Sequence, residues 1–333
     1  MMTRMSEATF LSWRSRLVAG GMMAALLAAS GCSWRLDSEP PVWPSPDAVT
    51  LERDAAAVHE QHVQDALGST AGSAGSASVL ANLETTASPA HLAALGGVYV
   101  ARPGLEPSPY VGTLAAAVAD ARDHALATAA TTDDRDLAAL LGSIGLTHAF
   151  ALWYDSLDRA PADEADIDPV AERPLPDVGG VAGPPVVAEQ TALSADTVMA
   201  LAVAHDQARY LYETIAARSS DDARTQARAR MAIHDDRAQA LATLSGADDA
   251  RSHVYSLPLA QVTGAQAQAA TARETEQSLG WRYAALAAES DATDRGWLLS
   301  AAFDAYAASA SLPGFTLDEF PVLPGLEVAP AAP

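Results

Sequence analysis

From residue 47 onward, apolar residues recur three and four positions apart, which is the period of one buried face of an α-helix. In the first half this pattern predicts four helices, at about 47–67, 78–95, 110–130 and 133–157. The second of them is expected to be interrupted at Ser88–Pro89, because proline removes a helical hydrogen bond. The predicted fold class is all-α, and the first four helices predict a small helical domain over residues 47–158.

The second half repeats the pattern more clearly. Four further helices are predicted, at about 194–218, 220–244, 259–289 and 293–311. Each carries a seam of mainly apolar residues, and the set predicts an antiparallel four-helix bundle over residues 192–312. In the first three of these helices an ionisable residue stands at a seam position where an apolar residue is expected: His205, His234 and Glu276. The last helix has two possible seams, and one of them contains Asp304.

Residues 159–191 separate the two halves. Six prolines and several acidic residues predict an irregular linker that is too polar to be buried, and the domain boundary is placed there. Residues 313–333 follow the last helix as a proline-punctuated extension. This extension is apolar enough to pack along the bundle.

The first 46 residues have a different character. Arginines at positions 4, 14 and 16 precede an apolar run over 17–29, which is typical of a secretory signal peptide, here residues 1–31. The proline-rich segment 32–46 is predicted to be an extended tether. The N-terminal region is also compatible with an ordinary secreted protein that has a free cysteine, or with an uncleaved membrane anchor.

The sequence "LLAASGC" ends in Cys32, the single cysteine of the chain, and resembles the lipobox of bacterial lipoproteins, with Ala29 where leucine is usual. The resemblance implies that the Cys32 thiol carries a diacylglycerol and that the signal is cut before it. The expected location is therefore the extracytoplasmic face of the cell membrane, with the membrane as partner through that lipid. A single cysteine also excludes an intramolecular disulfide.

The charge of the chain excludes one class of partner. The formal net charge is -22, and all 20 basic residues are arginines. A surface this acidic repels the phosphate backbone that supplies most nucleic-acid affinity. No nucleic-acid partner is expected.

The ionisable seam residues allow three interpretations. Two imidazoles with carboxylates can bind a divalent metal, they can pair as a buried polar network that fixes helix register, or they can face solvent. A full di-iron site is not expected, because Met231 stands where such bundles place a glutamate before His234. The histidines of the first half are expected to be core or surface residues without a functional role, and the first of them lies on the predicted buried stripe: His59, His62, His91, His124 and His148.

Four stretches of the second half carry a family resemblance: "ALAVAHDQARYLYETIAAR", "RARMAIHDDRAQAL", "YSLP" and "ETEQSLGWRYAAL". They resemble the ferritin-like domain of unknown function found in actinobacterial lipoproteins. The resemblance implies a helical bundle and an envelope location, and it implies no activity.

The combined prediction is a lipid-anchored envelope protein with a non-catalytic binding or scaffolding role, an unidentified envelope protein as partner and no cofactor. The alternative is a mononuclear metal-binding or redox module that uses His205, His234 and Glu276. A third hypothesis is an apolar ligand held between the helices of the second half.

Overall fold

The computed structural model describes residues 46–70, 78–100, 107–158, 171–178 and 182–326. Within these ranges the chain forms helices and no β-strand, so the all-α prediction is confirmed. Cys32, the signal peptide and nearly all of the tether lie outside the described residues. The helices are α1 Ala48–Thr70, α2 Val79–Leu95, α3 Leu114–Thr131, α4 Arg135–Asp158, α5 Ala195–Arg218, α6 Asp221–Ser245, α7 Ala265–Glu289 and α8 Ala292–Ala310.

Polar side chains fix several of the predicted helix starts. The Thr50 amide donates to Asp47 Oδ1 at 2.7 Å, and the Thr197 amide donates to Ser194 Oγ at 3.1 Å. Each bond satisfies an amide that has no partner within its own helix. The described residues from Asp47 onward belong to one compact unit by their contacts. A chain that begins at Ser33 therefore retains this whole unit.

The predicted interruption of α2 is wrong. The helix runs through Pro89 from Val79 to Leu95 and ends at Gly96, which adopts the left-handed conformation with φ 90°. An internal proline costs about 3 kcal/mol, so tertiary contacts must offset that cost. One of them is the bond from Ser88 Oγ to the Glu60 carbonyl oxygen of α1.

The two helical halves share a hydrophobic core. Helix α4 contacts α3 of its own half and α7 and α8 of the other. Phe150 of α4 and Phe303 of α8 belong to one buried cluster, and Phe320 of the C-terminal extension stacks on Phe150 with ring centroids 3.9 Å apart. Among the described residues, α4 is also the one helix that is apolar and long enough to cross a membrane, but 78% of its most apolar 18-residue stretch is buried inside the protein. Packing accounts for its apolar character.

Part of the predicted linker is also packed, which corrects the expectation that it is exposed. Residues 171–178 and 182–191 are non-helical as predicted, but Leu175 and Val186 are buried. The Leu175 amide donates to Ser300 Oγ of α8, and that hydroxyl donates to the Pro184 carbonyl. Apolar residues between the prolines give this segment enough buried surface to dock on α8.

Candidate functional site

Ionisable side chains meet at two buried places, one in each half of the chain. We call the set in α5–α8 the arginine network and the set in α1, α2 and α4 the Glu60 cluster. No member of either set exposes more than 3% of its surface. The arginine network consists of His205, Arg230, His234, Arg237, Glu276 and Asp304, and the Glu60 cluster consists of Glu60, Glu84, His91 and His148.

The structure brings together all four residues predicted as candidate ligands in the second half. His234 Nε2 is 3.0 Å from Glu276 Oε1, which only accepts, so this nitrogen donates. His234 Nδ1 then accepts from His205 Nδ1 at 2.9 Å, and His205 Nε2 accepts from the Tyr283 hydroxyl at 2.7 Å. One hydrogen is present in every contact while both imidazoles are neutral. Burial lowers the pKa of His205 and of His234, which agrees with neutral rings.

Arginines neutralise the two carboxylates of this network. Arg230 donates to both oxygens of Glu276, at 2.8 and 2.9 Å, and also to Asp304 Oδ2 at 2.9 Å. Arg237 Nη1 lies 2.8 Å from Asp304 Oδ2 as well. Burial raises the pKa of Glu276, but Arg230 and His234 outweigh it and hold that pKa well below its usual range. The buried charges of the two arginines and the two carboxylates therefore cancel.

The shape of the network does not favour a metal at His205, His234 and Glu276. The two outer residues contact opposite nitrogens of the His234 ring, so the three side chains form a chain rather than converge on one point. Arg230 and Arg237 were not predicted as members of this site. The buried seam of α6 passes through Arg230, whereas Met231, the predicted seam position, is partly exposed. The Arg230 guanidinium contacts the carboxylates of Glu276 and Asp304, which a metal ion would need as ligands.

The Glu60 cluster has a converging geometry instead. His148 lies between two carboxylates, with Nε2 2.7 Å from Glu60 Oε1 and Nδ1 2.9 Å from Glu84 Oε1. His91 Nδ1 is 3.1 Å from the same Glu60 oxygen, and His91 Nε2 is 2.9 Å from the Val322 carbonyl oxygen. Ligand atoms of Glu60, His91 and His148 all lie within 4.8 Å of one another, and this is the one such group among the described residues.

The Glu60 cluster is short of hydrogen-bond donors. Four ring nitrogens of His91 and His148 face oxygens of two carboxylates and a carbonyl, all of which only accept. Two neutral imidazoles supply one N–H each, so two of the four contacts lack a hydrogen. Two protons, or one cation in their place, are required. The Oε2 atoms of Glu60 and Glu84 are also buried without a hydrogen-bond partner.

A proton fills at least one of these places when no cation is bound. Burial lowers the pKa of His148, but the carboxylates of Glu84 and Glu60 outweigh it and raise that pKa to about 10. His148 and His91 in turn hold the pKa of Glu60 well below its usual range, against the opposing effect of burial. The cluster therefore holds an imidazolium at neutral pH in its metal-free form.

Glu60 and Glu84 were not predicted as site residues, and His91 and His148 were predicted to have no function. The buried stripe of α1 passes through Glu60 rather than His59, which is half-buried. The signal that singled out His205 was present here as well, because Glu84 and His91 stand in the 3-4 seam that α2 buries. An ionisable residue in an apolar seam marks both sites.

Comparison with protein-family models, with curated proteins and with solved structures finds no match to this chain. The ferritin-like resemblance therefore stays a prediction that depends on the quoted motifs.

Proposed function

We propose that the protein binds one divalent transition-metal ion through Glu60, His91 and His148. The observation that carries this proposal is the shortage of two hydrogens among the four imidazole contacts. An ion on His91 Nδ1, His148 Nε2 and the Glu60 carboxylate replaces both missing hydrogens. Each remaining contact then has one donor and one acceptor.

The surroundings of these three side chains fit metal ligation. A metal-bound histidine usually donates its other ring N–H to a carboxylate or a backbone carbonyl, which fixes the ring and its tautomer. Glu84 accepts from His148 Nδ1 in this way, and the Val322 carbonyl accepts from His91 Nε2. Two imidazoles and one carboxylate form a ligand set that proteins use for Zn²⁺ and for non-haem Fe²⁺.

The arginine network has a different proposed role. Side chains of α5, α6, α7 and α8 meet in it with matched charges, and every contact of its two imidazoles has one donor and one acceptor. This favours the interpretation that it fixes the register of a ferritin-like bundle in which arginines stand in place of metal. The binding or scaffolding role predicted from the sequence stays compatible with such a bundle.

Titration of metal-free protein, residues 33–333, is the experiment that tests the metal proposal. We expect one equivalent of Zn²⁺ or Fe²⁺ to bind at pH 7 and at least one proton to be released, because the ion displaces the proton that the raised pKa of His148 retains at this pH. Calorimetry in buffers of different ionisation enthalpy measures both numbers. Binding without proton release, or no stoichiometric binding, would contradict the proposal.

Variants then locate the ion. His148→Leu should abolish binding, and Glu84→Gln should weaken it by about 10- to 100-fold through the supporting hydrogen bond. His253→Ala, at an exposed histidine outside both clusters, is the matched control. Loss of binding in His234→Leu but not in His148→Leu would instead support the alternative site at His205, His234 and Glu276.

We also propose that the protein is anchored by a lipid on Cys32 at the extracytoplasmic face of the membrane. The lipobox-like "LLAASGC" supports this proposal. In a host that processes lipoproteins, a Cys32→Ser variant should no longer be cut at this site or incorporate labelled fatty acid. Membrane fractionation and acyl labelling measure this, and unchanged labelling of the variant would refute the anchor.

A further inference from the structure

A cavity of about 450 Å³ lies between the C-terminal end of α3, the packed segment after residue 170, and α8. Its wall includes Leu126, Leu175, Val178 and Leu299, and exposed Ala130 at its edge places the opening at the surface. Ligand pockets typically measure about 300–1,000 Å³ and are mostly apolar with a few polar groups. In size and lining this cavity matches a site for a small apolar ligand.

Arg295 is the one ionisable residue in the described wall of the cavity. Its Nη2 donates to the Ser290 carbonyl at 2.7 Å, its Nη1 donates to the Ala129 carbonyl, and its buried Nε has no hydrogen-bond partner. These bonds use two of the five N–H groups of a guanidinium. The cationic side chain, only 4% exposed, therefore retains unused donors beside an apolar surface.

Arg295 differs from the other buried arginines of the described chain in having no carboxylate partner. Arg230 and Arg237 are each paired with carboxylates, whereas Arg295 contacts backbone carbonyls and forms no ion pair with the described residues. Burial lowers the pKa of Arg295, and of the charged groups nearby Asp291 raises that pKa while Arg135 lowers it further. A buried charge without a counter-ion is costly, so a carboxylate brought by a ligand would stabilise this site.

We infer that this cavity binds an amphiphile with one apolar chain and a carboxylate head, the chain lying against the apolar wall and the head pairing with Arg295. A carboxylate accepts two parallel N–H bonds from a guanidinium, which an alcohol of the same chain length cannot do. The chain contributes affinity through apolar burial, and the head contributes selectivity. This site is independent of the Glu60 cluster and shares no residue with it.

The test uses dodecanoate and dodecan-1-ol as probes, below their aggregation concentrations, with protein spanning residues 33–333. Dodecanoate should bind at one equivalent and about tenfold or more tighter than the alcohol, since a charge-assisted bidentate pair is the stronger interaction. Arg295→Gln should reduce that ratio to near one, whereas Arg135→Gln, at a neighbouring exposed arginine, should leave it nearly unchanged. Equal affinities for the two probes, or an unchanged ratio in Arg295→Gln, would overturn the inference.

A second variant tests the location without removing the charge. Gly296 lines the cavity, and a Cβ built there meets only Pro184, at 3.5 Å, which is ordinary van der Waals contact. Gly296→Leu should therefore fold and block both probes by occupying the cavity. Undiminished dodecanoate binding in this variant would place the ligand elsewhere and refute the assignment, even if Arg295→Gln failed to fold.

Discussion

Replacement of Arg230 by leucine is expected to lower the free energy of unfolding by about 3–5 kcal/mol, the cost of removing one partner from a buried ion pair. Arg230 contacts both oxygens of Glu276 and one oxygen of Asp304, and both carboxylates are fully buried. The variant leaves the Glu276 charge without a cation. Urea denaturation followed by far-UV circular dichroism measures the difference.

The same helix supplies the control. Arg228 is exposed two residues before Arg230, and its replacement by leucine should change the free energy of unfolding by less than about 0.5 kcal/mol. The double variant Arg230→Leu, Glu276→Leu should be more stable than Arg230→Leu alone, because an apolar pair replaces an uncompensated charge. Arg230→Leu within 1 kcal/mol of the parent would contradict a stabilising role for the ion pair, on the scale expected for buried pairs.

The helices could be predicted from periodicity, and the exceptions have physical causes. The pattern located seven of the eight helices of the described chain to within four residues at each end, because each buries an apolar stripe. Helix α7 begins six residues later than predicted, at Ala265, because Leu259–Val262 form a separate 3₁₀-helix. The interruption predicted at Pro89 was wrong, because the free-energy cost of one proline was offset by contacts along the whole helix. Docking of residues 171–191 could not be predicted, because it depends on a hydroxyl of Ser300 that is distant in sequence.

The candidate sites show a different limit. Periodicity identifies an ionisable residue in a seam, but it does not identify its partner. His205 and His91 looked alike as sequence, yet one donates along a balanced chain of hydrogen bonds and the other faces a carboxylate already contacted by His148. His205 Nε2 accepts from the Tyr283 hydroxyl, whereas both ring nitrogens of His91 face oxygens that only accept. The carboxylates differ as well, because Arg230, one residue away from the predicted seam position Met231, supplies a cation to Glu276. A one-residue shift on a helix is a rotation of 100°, which decides whether a cation is built in.

The pH dependence of the metal-free protein follows from the Glu60 cluster. The pKa of His148 in the folded protein is about 10 and its ordinary value is 6.5. A raised histidine pKa stabilises the fold fully below the ordinary value and progressively less as the pH rises through the window between the two values. Up to about 1.4 kcal/mol should be lost per pH unit in that window. The lowered pKa of Glu60 acts in the opposite direction, so that its contribution is lost only in acid.

With EDTA present, the urea concentration at the unfolding midpoint should therefore decrease as the pH rises from 6.5 to 9, which lies within the window between the ordinary and the raised pKa of His148. Bound Zn²⁺ should flatten this decline, because the His148 lone pair is then held by the ion rather than by a proton. Stabilisation by the ion should consequently grow with pH. His124→Gln, at a histidine outside both clusters, is the control and should keep the pH profile of the parent protein in this window. A flat profile in the metal-free parent protein would show that His148 holds no extra proton. If the urea midpoint of the metal-free protein decreases with pH and Zn²⁺ leaves this decrease unchanged, the ion binds elsewhere. That result would refute the metal proposal, whereas a flat metal-free profile would refute the assignment of a proton to His148.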